Sequence, residues 1–336
     1  MSFLIQIVEN LQNRNYDDYL IQRVKEYTSK LVEADVPVIY DLKHLSLYLH
    51  TSEKQLNAII DNPELSYTKR IIRSKRRKKR EIYIPNDQLK YIQKWILENI
   101  LYKISASKYS KGFTPNKSTY DNALPHINKA YVLNIDFKDF FININSEQIF
   151  YIFSKIGYSN KVSEYLTKLC SYNGILPQGA PSSPYISNLV CLELDNKIGD
   201  FISNKEINYT RYADDLSFSS NSDLNLYIEQ IESIILDENF KINKNKFRLQ
   251  KWYERQMVTG LVVNTKVNVP RKYYRQIKQE IFYCKRYGVA SHMEKRGFSY
   301  SNYKYHLYGK ALYIKMINPE KGKKLIEELD EIPWQY

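Results

Sequence analysis

Several features that would define a secreted or membrane protein are missing from this sequence. Its three cysteines, Cys170, Cys191 and Cys284, stand far apart and form no Cys-x-x-Cys pair. Neither a disulfide framework nor a zinc site is therefore indicated, and small buried side chains are favoured. No apolar run approaches the roughly 20 residues that span a bilayer, and the N-terminus lacks the basic segment of a signal peptide. These absences predict a cytoplasmic protein.

Positive charge is in clear excess over negative charge. The 336 residues include 50 Lys and Arg against 37 Asp and Glu, a formal net charge of +13. Such a surface suits phosphate groups, although charge alone does not separate nucleic acid from an anionic membrane. Because 43% of the residues are hydrophobic and 14% aromatic, the chain can bury a large core, and it is expected to divide into two or three subdomains.

The N-terminal part of the chain is predicted to be helical and to lead into a basic hairpin. Residues 41–60 resemble two short helices around residues 49–51, so a helix-turn-helix DNA reader is one possibility, although the usual turn glycine is missing. In residues 69–80, nine of twelve are basic, and an alternating strand follows to Pro85. A hairpin with a basic tip fits this pattern, and a solvated charge run or a localisation tag is the alternative. Residues 89–100 form an amphipathic helix.

The centre of the chain alternates between strands and helices in the order β-α-β-β-α-β. This order predicts a split, ferredoxin-like sheet. The expected elements are a strand at 132–137, a helix from 146 to Gly157, a loop at 176–181, one long helix from 186 toward 199, two strands at 208–219 joined at Ala213-Asp214, a helix at 224–238 and a strand through Ile242. After an alternating segment to residue 269, the chain becomes helical and basic. A final helical pair is expected at 303–332, broken at Asn318-Pro319.

Three aspartates are candidates for catalysis. Asp136 ends one predicted strand, and Asp214 and Asp215 lie at the turn between two others. Carboxylates that converge repel one another unless cations neutralise them, and hard oxygen ligands select magnesium. Two such ions roughly 4 Å apart support nucleotide addition by phosphoryl transfer. We expect Asp136 and Asp214 to be the principal ligands and Asp215 a weaker or primer-side contributor; the alternative is a trio of surface acids.

The motifs around these aspartates resemble those of reverse transcriptases in identity and order. They are Asn-Ile-Asp-Phe-Lys-Asp-Phe-Phe at 134–141, Leu-Pro-Gln-Gly at 176–179 and Tyr-Ala-Asp-Asp at 212–215. Two further segments, Asn-Ala-Leu-Pro-His at 122–126 and Val-Thr-Gly at 258–260, are similar to signatures of bacterial retron reverse transcriptases. The resemblance extends from about residue 40 to the C-terminus.

The resemblance assigns a nucleotide site and an RNA-contacting surface. Phe141 would exclude the 2′-hydroxyl of ribonucleotides, and Lys246 would protonate departing pyrophosphate, although a core phenylalanine and a surface lysine are equally ordinary. The other residues assigned to the nucleotide are Gln178, Gly179, Phe137, Tyr212 and Arg80, with Arg76 or Lys78 as helper. Those assigned to RNA or primer are Asn122, His126, Arg211, Val258, Thr259, Gly260, Lys272, Arg275 and Lys278. For His126 a structural role is the alternative, and residues 258–260 are expected in a strand.

A right-hand polymerase of the α+β class is the fold that the resemblance implies. It would comprise a helical N-terminal region at 1–68, fingers at 69–125, a ferredoxin-like palm at 126–268 into which part of the fingers may insert, and a helical, RNA-binding thumb at 269–336. Its activity would be that of an RNA-directed DNA polymerase with two Mg²⁺ ions and deoxynucleoside triphosphates.

Retron membership would imply a cognate structured noncoding RNA and priming from the 2′-hydroxyl of an internal guanosine. The product would be multicopy single-stranded DNA in a branched RNA-DNA molecule. A host ribonuclease H and a separately encoded effector protein would complete an antiphage defence system, with no membrane partner. The rivals are a group II intron or diversity-generating reverse transcriptase, an inactive RNA-binding scaffold and a helix-turn-helix regulator.

Overall fold

The chain forms two compact units that are interleaved along the sequence. The computed structural model describes residues 2–73, 79–297 and 302–334. The first unit comprises Met1–Thr114, Phe137–Ile198 and Ile234–Ile242. The second comprises Pro115–Asp136, Gly199–Ser233 and Asn243–Tyr336. Each unit therefore contains segments that are distant in sequence.

Helices and strands account for most of the described residues. Up to residue 130 they are α1 Ser2–Asn13, α2 Asp18–Glu33, α3 Leu42–Tyr48, α4 Glu53–Asp61, β1 Tyr67–Arg73, β2 Lys79–Pro85, α5 Asp87–Asn99 and α6 Thr119–Ala123. The centre contains β3 Tyr131–Asp136, α7 Ser146–Ile156, α8 Asn160–Cys170, α9 Ser183–Val190, α10 Leu192–Ile202, β4 Ile207–Tyr212, β5 Asp215–Ser220 and α11 Ile228–Asp237. The C-terminal part contains β6 Arg248–Lys251, β7 Met257–Val258, β8 Leu261–Val262, α12 Arg271–Tyr287, α13 Val289–Lys295, α14 Tyr303–Ile317 and α15 Pro319–Asp330.

Local sequence signals fix the ends of several of these helices. The Asn145 side chain accepts a hydrogen bond from the Gln148 N–H at the start of α7, and Gln148 returns the bond to the Asn145 N–H. Gly157 then ends α7 with a left-handed φ of 117°, which glycine adopts without steric cost. Ser52 and Gln55 form the same reciprocal cap on α4. The predicted helix from residue 146 to Gly157 is thus confirmed.

The basic segment forms the predicted hairpin. Strands β1 and β2 pair antiparallel, with Tyr67 opposite Pro85, and Lys69 lies 2.8 Å from Glu81 across the two strands. Helix α5 follows immediately, capped by the Asn86 side chain on the Leu89 N–H at 2.9 Å. The residues between β1 and β2 lie outside the described part of the chain.

A four-stranded antiparallel sheet lies at the heart of the second unit. Its strand order is β4-β5-β3-β6, the arrangement expected for a β-α-β-β-α-β chain. One strand was predicted at the wrong place. Ile242 forms only an isolated bridge with Phe137, and the fourth strand is β6. The Asn243 N–H bonds the Asp136 carbonyl at 2.8 Å, and a short turn at Lys244–Lys246 delays the strand.

Two further predictions of secondary structure were wrong. The single long helix expected from 186 toward 199 is two helices, α9 and α10, interrupted at Cys191, whose ψ of 2° is not helical. Buried apolar residues continue on both sides of this break, so the periodicity does not reveal it. Residues 258–260 are not one strand either. Thr259 and Gly260 have φ of 45° and 80° and form the tight turn between β7 and β8.

The C-terminal helices share one hydrophobic core with the β7–β8 hairpin. Val258 and Leu261 of the hairpin pack in the same buried cluster as Ile277 of α12, Leu307 of α14 and Leu325 of α15. The predicted break between the last two helices at Asn318-Pro319 is confirmed. The three cysteines are buried, as expected for small hydrophobic side chains. No helix among the described residues combines the length and apolarity needed to cross a bilayer.

Candidate active site

Asp136 lies at the end of the central strand of the sheet. Strand β3 is flanked by β5 on one side and β6 on the other, and the antiparallel register places Asp136 directly opposite Asp215. Apolar side chains on this strand, including Val132 and Ile135, are buried. The hydrophobic core therefore fixes the strand, and the register delivers two carboxylates to one position.

Asp214 is brought to the same end of the sheet by a two-residue hairpin turn. Tyr212 pairs with Asp215 at the ends of β4 and β5, with Ala213 and Asp214 between them. Ala213 adopts a left-handed φ of 57°, which a small side chain tolerates better than a branched one. The three aspartates predicted from sequence are thus gathered within the second unit.

The clustering of these acids changes their electrostatics. Burial, a hydrogen bond with Asp136 and the charges of Asp214 and Asp136 together raise the pKa of Asp215 to about 7, although Lys246 opposes the shift. A carboxyl group in such surroundings resists ionisation unless positive charge is nearby. Positive charge close to these carboxylates would therefore stabilise their ionised forms.

Lys246 places one positive charge beside Asp136. Its ammonium Nζ lies 2.6 Å from Asp136 Oδ2, and the Asn243 amide donates to Oδ1 at 3.3 Å. The Asp136 side chain is almost fully buried, whereas the lysine is half exposed. Lys246 was predicted from the resemblance, but Asn243 was not. Its only sequence signal is its place three residues before that lysine.

The residues gathered here fit a divalent cation in chemical type. Carboxylate oxygens are the ligands that magnesium prefers, and a cation would offset the burial and the charge repulsion that raise the pKa of Asp215. Within the described ranges, no group of three or more His, Cys, Asp or Glu side chains is already arranged for metal ligation. The Lys246 ammonium stands at Asp136 as the positive charge.

The Leu-Pro-Gln-Gly loop lies against the basic hairpin in the first unit. The Tyr83 N–H donates to the Gln178 carbonyl at 3.0 Å. Gly179 has φ of 114°, and a Cβ added there would stand 2.9 Å from the Tyr83 carbonyl oxygen. Glycine is therefore required by both the backbone conformation and the approach of β2. Gln178 is half-buried and Gly179 exposed.

The aromatic residues assigned to the nucleotide differ in accessibility. Phe141 is half-buried and lies 6.4 Å from Phe113, between ring centroids. Phe137 is instead buried and stacks on Phe240 at 4.7 Å. Its side chain is part of the core, so the assignment of that ring to the nucleotide is corrected. Tyr212 is half-buried, and burial, followed by the nearby Tyr313, raises the pKa of its hydroxyl.

The predicted triphosphate clamp falls largely outside the described part of the chain. Arg76 and Lys78 lie in the stretch between β1 and β2 that the structure does not describe, and so does the side chain of Arg80. Only the backbone of Arg80 is described, as a residue of β2 paired with Ile72. Their roles remain predictions.

The two retron-like signatures meet within the second unit. Asn122 Nδ2 lies 3.4 Å from Thr259 Oγ1, and the Asn122 carbonyl accepts a hydrogen bond from the Thr210 hydroxyl at 3.1 Å. Ala123 and Val258 belong to the same buried cluster. Segments more than a hundred residues apart in sequence therefore brace one another.

His126 occupies a structural position in this arrangement. Its ring is fully buried, with Nδ1 2.7 Å from Ser219 Oγ and Nε2 2.8 Å from Thr210 Oγ1. It thus links β4 and β5. Burial, with a smaller contribution from Lys129, lowers the pKa of His126 to about 3, so the ring is neutral near pH 7. The assignment of His126 to RNA contact is corrected in favour of its structural alternative.

The remaining residues assigned to RNA divide into buried and exposed sets. Asn122, Arg211 and Val258 are fully buried, so their side chains support the fold and are corrected as direct RNA contacts. Arg211 donates to the Ala213 carbonyl at 3.2 Å, which helps to hold the aspartate turn. The exposed or half-exposed set consists of Thr259, Gly260, Lys272, Arg275 and Lys278.

A chain of polar side chains across the sheet was not predicted. Asn134 donates to Ser217 Oγ at 3.1 Å on β5 and accepts from Gln250 Nε2 at 2.6 Å on β6. Gln250 also accepts the Met257 N–H at 2.9 Å. Asn134 precedes Asp136 by two residues and faces the same side of β3. A polar residue at a strand position otherwise flanked by apolar ones is the signal that could have revealed it.

Comparisons with known proteins show the family of this chain. Residues 71–280 match the family described as reverse transcriptase (RNA-dependent DNA polymerase). The chain is 33% identical over 316 residues to the Retron Ec86 reverse transcriptase of Escherichia coli, covering 92% of this chain and 94% of that protein. It is 30% identical over 268 residues to the Retron Mx65 reverse transcriptase of Myxococcus xanthus, covering 73% and 60% of the two chains.

A solved telomerase structure from Candida albicans, in complex with a fragment of telomeric RNA, is also similar. It has a TM-score of 0.46 and 11% identity over 79% of this chain and 63% of that one. The family match spans more than half of the 336 residues. The fold is accordingly the α+β polymerase fold of that family, and divalent-metal dependence is general in it. The chain belongs to the reverse transcriptases, the RNA-directed DNA polymerases, and among them to those of bacterial retrons.

Proposed function

We propose that the three aspartates bind two Mg²⁺ ions, and that the enzyme uses these ions to add deoxynucleotides to a growing strand. The observation that supports this most strongly is the pairing of Asp136 with Asp215 across β3 and β5, with Asp214 in the adjoining turn. Bound magnesium would activate the attacking ribose hydroxyl and stabilise the charge of the leaving pyrophosphate. Asp136 and Asp214 are the principal ligands, and Asp215 contributes at the primer side.

Lys246 acts as the proton donor to pyrophosphate in this proposal. Its present contact with Asp136 Oδ2, at 2.6 Å, holds positive charge at the site. Because its side chain is half exposed, it can turn toward a leaving group when other cations neutralise Asp136. Asn243, on the other oxygen of that carboxylate, keeps the Asp136 side chain oriented.

The nucleotide is selected by the loop at 176–179 and by Phe141. Gly179 allows the backbone to run close to β2, which holds Gln178 at the loop surface for contact with sugar or phosphate. Phe141 discriminates against ribonucleotides by contact with a 2′-hydroxyl. Arg80, with Arg76 or Lys78, clamps the triphosphate, as a planar guanidinium suits.

The template is a structured noncoding RNA, and synthesis begins from the 2′-hydroxyl of an internal guanosine. Fingers at 69–125, palm at 126–268 and thumb at 269–336 hold the two strands, and exposed cations of α12 contact the phosphates of an RNA stem. The product is multicopy single-stranded DNA. A host ribonuclease H trims the template, and a separately encoded effector joins the complex in cytoplasmic antiphage defence.

The chemistry is tested by replacing the aspartates. Purified Asp214→Ala, Asp215→Ala double variant, incubated with the cognate RNA, Mg²⁺ and deoxynucleotides, is expected to lose at least about 10³-fold in incorporation rate, since charge stabilisation of this kind dominates phosphoryl transfer. An Asp200→Asn variant, which alters an exposed aspartate of α10, is the control. Unchanged product from the double variant would leave an inactive RNA-binding scaffold as the better description.

The priming reaction has a separate test. A nuclease specific for 2′–5′ linkages should release the DNA product from the RNA, while the wild-type enzyme without that nuclease gives a joined molecule. DNA that is never joined to RNA would favour a group II intron or diversity-generating type of reverse transcriptase. In that outcome the aspartate variants would still be inactive, so the two tests separate priming from catalysis.

A further inference from the structure

An exposed aromatic pair lies at the turn that follows β6. Trp252 is 67% exposed and Tyr253 is 65% exposed, so two large aromatic side chains face solvent on one short turn. Their rings stand 5.6 Å apart with an interplanar angle of 85°. The mechanism proposed above uses neither residue. We name residues 251–255 the aromatic turn.

Hydrogen bonds from neighbouring side chains fix the backbone of the aromatic turn. Asn264 Nδ2 donates to the carbonyls of Trp252 and Glu254 at 3.3 and 2.7 Å, and Asn264 Oδ1 accepts the Gln256 N–H at 3.0 Å. The Glu254 carboxylate accepts the Lys251 N–H at 2.8 Å. Because the backbone is already fixed, binding a ligand to the two rings would cost little ordering entropy.

Several exposed cationic residues lie close in sequence to the two rings. Lys251 and Arg255 flank them in sequence and are exposed. Lys266, two residues beyond the bracing Asn264, is exposed as well. Only Glu254 contributes negative charge within the turn, and its carboxylate is already occupied by a backbone N–H. The combination of aromatic faces and cations suits a ligand that carries both planar bases and phosphates.

The register of the sheet places the aromatic turn away from the catalytic aspartates. Lys251 pairs with Tyr131 at the beginning of β3, whereas Asp136 lies at the opposite end of that strand. Five residues of extended strand correspond to about 17 Å. A nucleic acid held at the aromatic turn is therefore several nucleotides away from the point of synthesis.

We propose that the aromatic turn binds an unpaired stretch of nucleic acid by stacking one base on each ring. This inference rests on the proposed function, which supplies the strand. Bases inside a duplex are parallel and already stacked, so they cannot cover two rings set almost perpendicular to each other. An unpaired strand can turn between successive bases and can, because every base offers an aromatic face, bind without regard to sequence.

The full-length protein can report this contact directly. It contains three tryptophans, so in a Trp95→Phe, Trp334→Phe background the emission comes from Trp252 alone when excitation is at the red edge of tryptophan absorption, where tyrosine does not absorb. Addition of a short oligothymidylate, without nucleotide or Mg²⁺, is expected to quench that emission. In the native background, the Trp252→Ala, Tyr253→Ala variant should bind the same oligonucleotide at least about tenfold more weakly. Tyr19→Ala, which removes another exposed ring beside an arginine, should bind like wild type.

Each result decides the matter. Unquenched emission from Trp252 at saturating oligonucleotide overturns the proposal, and this readout needs no alanine variant to fold. Equal binding by the double variant and the wild type overturns it as well. Equal competition by a blunt RNA duplex would show that phosphate charge alone carries the binding, with the same consequence. None of these outcomes bears on catalysis, which the Asp214 and Asp215 variants test separately by nucleotide incorporation.

Discussion

At the scale of single residues, Gly179 combines two separate reasons for being glycine. Its φ of 114° is unfavourable for other residues, and an added Cβ would meet the Tyr83 carbonyl oxygen at 2.9 Å. That oxygen belongs to the backbone of β2 and cannot move aside cheaply. Two effects therefore oppose a larger residue at this position, the strained φ and the steric collision. Comparison with a second glycine that has only the positive φ can separate them.

We expect Gly179→Ala to lower the free energy of unfolding by about 2 to 3 kcal/mol, measured by denaturant titration, because strain and collision add. The KM for deoxynucleotide should rise as the displaced loop moves Gln178. Gly174→Ala is the matched control, since Gly174 also has a positive φ, of 76°, but among the described residues beyond its two chain neighbours no atom lies within 4 Å of its added Cβ. Equal losses in the two variants would mean that the contact with β2 has no energetic effect.

His126 predicts a pH dependence of stability. Burial holds its pKa at about 3, below an unfolded value of about 6.5. The unfolded chain therefore binds a proton that the folded chain refuses, and the stabilisation, complete above pH 6.5, is lost as pH falls toward 3. Between pH 7.5 and pH 5 this amounts to about 2 kcal/mol. Denaturant unfolding of wild type and His126→Gln at both pH values measures the difference, and parallel losses would contradict the assignment.

The placement of some of these residues in the fold can be predicted from the sequence far better than that of others. Asp136 and Asp215 could be predicted to meet because each adjoins an apolar strand, and apolar strands pair in a shared core. The burial of His126 and Arg211 could not be predicted. A single histidine or arginine has no period, and only the hydroxyls of Thr210 and Ser219 on neighbouring strands make a buried imidazole acceptable.

At the scale of helices and strands, periodicity succeeded where one face is apolar and failed where both are covered. Helix α5 and the β1–β2 hairpin have one exposed face each, so the pattern of the sequence reveals them. The break at Cys191 lies in a segment buried on several sides, which erases the pattern. The turn at Thr259-Gly260 was missed because threonine, a branched residue, rarely adopts a positive φ.

Glu280 holds three C-terminal helices together through a buried polar cluster. Burial would raise the pKa of its carboxyl, but hydrogen bonds from Tyr303, His292 and Arg296 outweigh that effect and hold the pKa at about 2. The donors come from α13, α14 and the segment after α13. A buried carboxylate on α12 thus binds donors from the helical segments that follow it.

Removal of this carboxylate should destabilise the helices strongly. We expect Glu280→Ala to lower the free energy of unfolding by about 3 kcal/mol, because Tyr303, His292 and Arg296 each lose a hydrogen bond to a buried carboxylate. Glu328→Ala, which removes a half-exposed acid 3.3 Å from Lys278, should cost less than about 1 kcal/mol. Thermal unfolding followed by circular dichroism compares the two. A small loss for Glu280→Ala would show that the apolar core alone positions α12.

At the scale of the whole molecule, strand order was predictable while the grouping of segments was not. The β-α-β-β-α-β order limits a compact sheet to few arrangements, and β4-β5-β3-β6 is among them. The two compact units, however, each draw on three separate segments. The amino-acid composition changes little along the chain, so it does not reveal where the chain passes from one unit to the other. The proposed limits of fingers, palm and thumb therefore remain a prediction.

The net charge of +13 acts over the whole molecule. It predicts that the affinity for RNA falls steeply with salt, because RNA binding releases counterions.

Among the cations of α12, Lys272 and Arg275 are exposed, whereas Lys278 is already engaged by Glu328 at 3.3 Å. Lys272→Gln with Arg275→Gln should reduce the slope of log affinity against log salt by about two, and Lys278→Gln by less. Exposed Lys25 and Lys54, replaced together by Gln, give the control for net charge. Equal slopes in the two double variants would mean that long-range charge, and not contact by α12, governs binding.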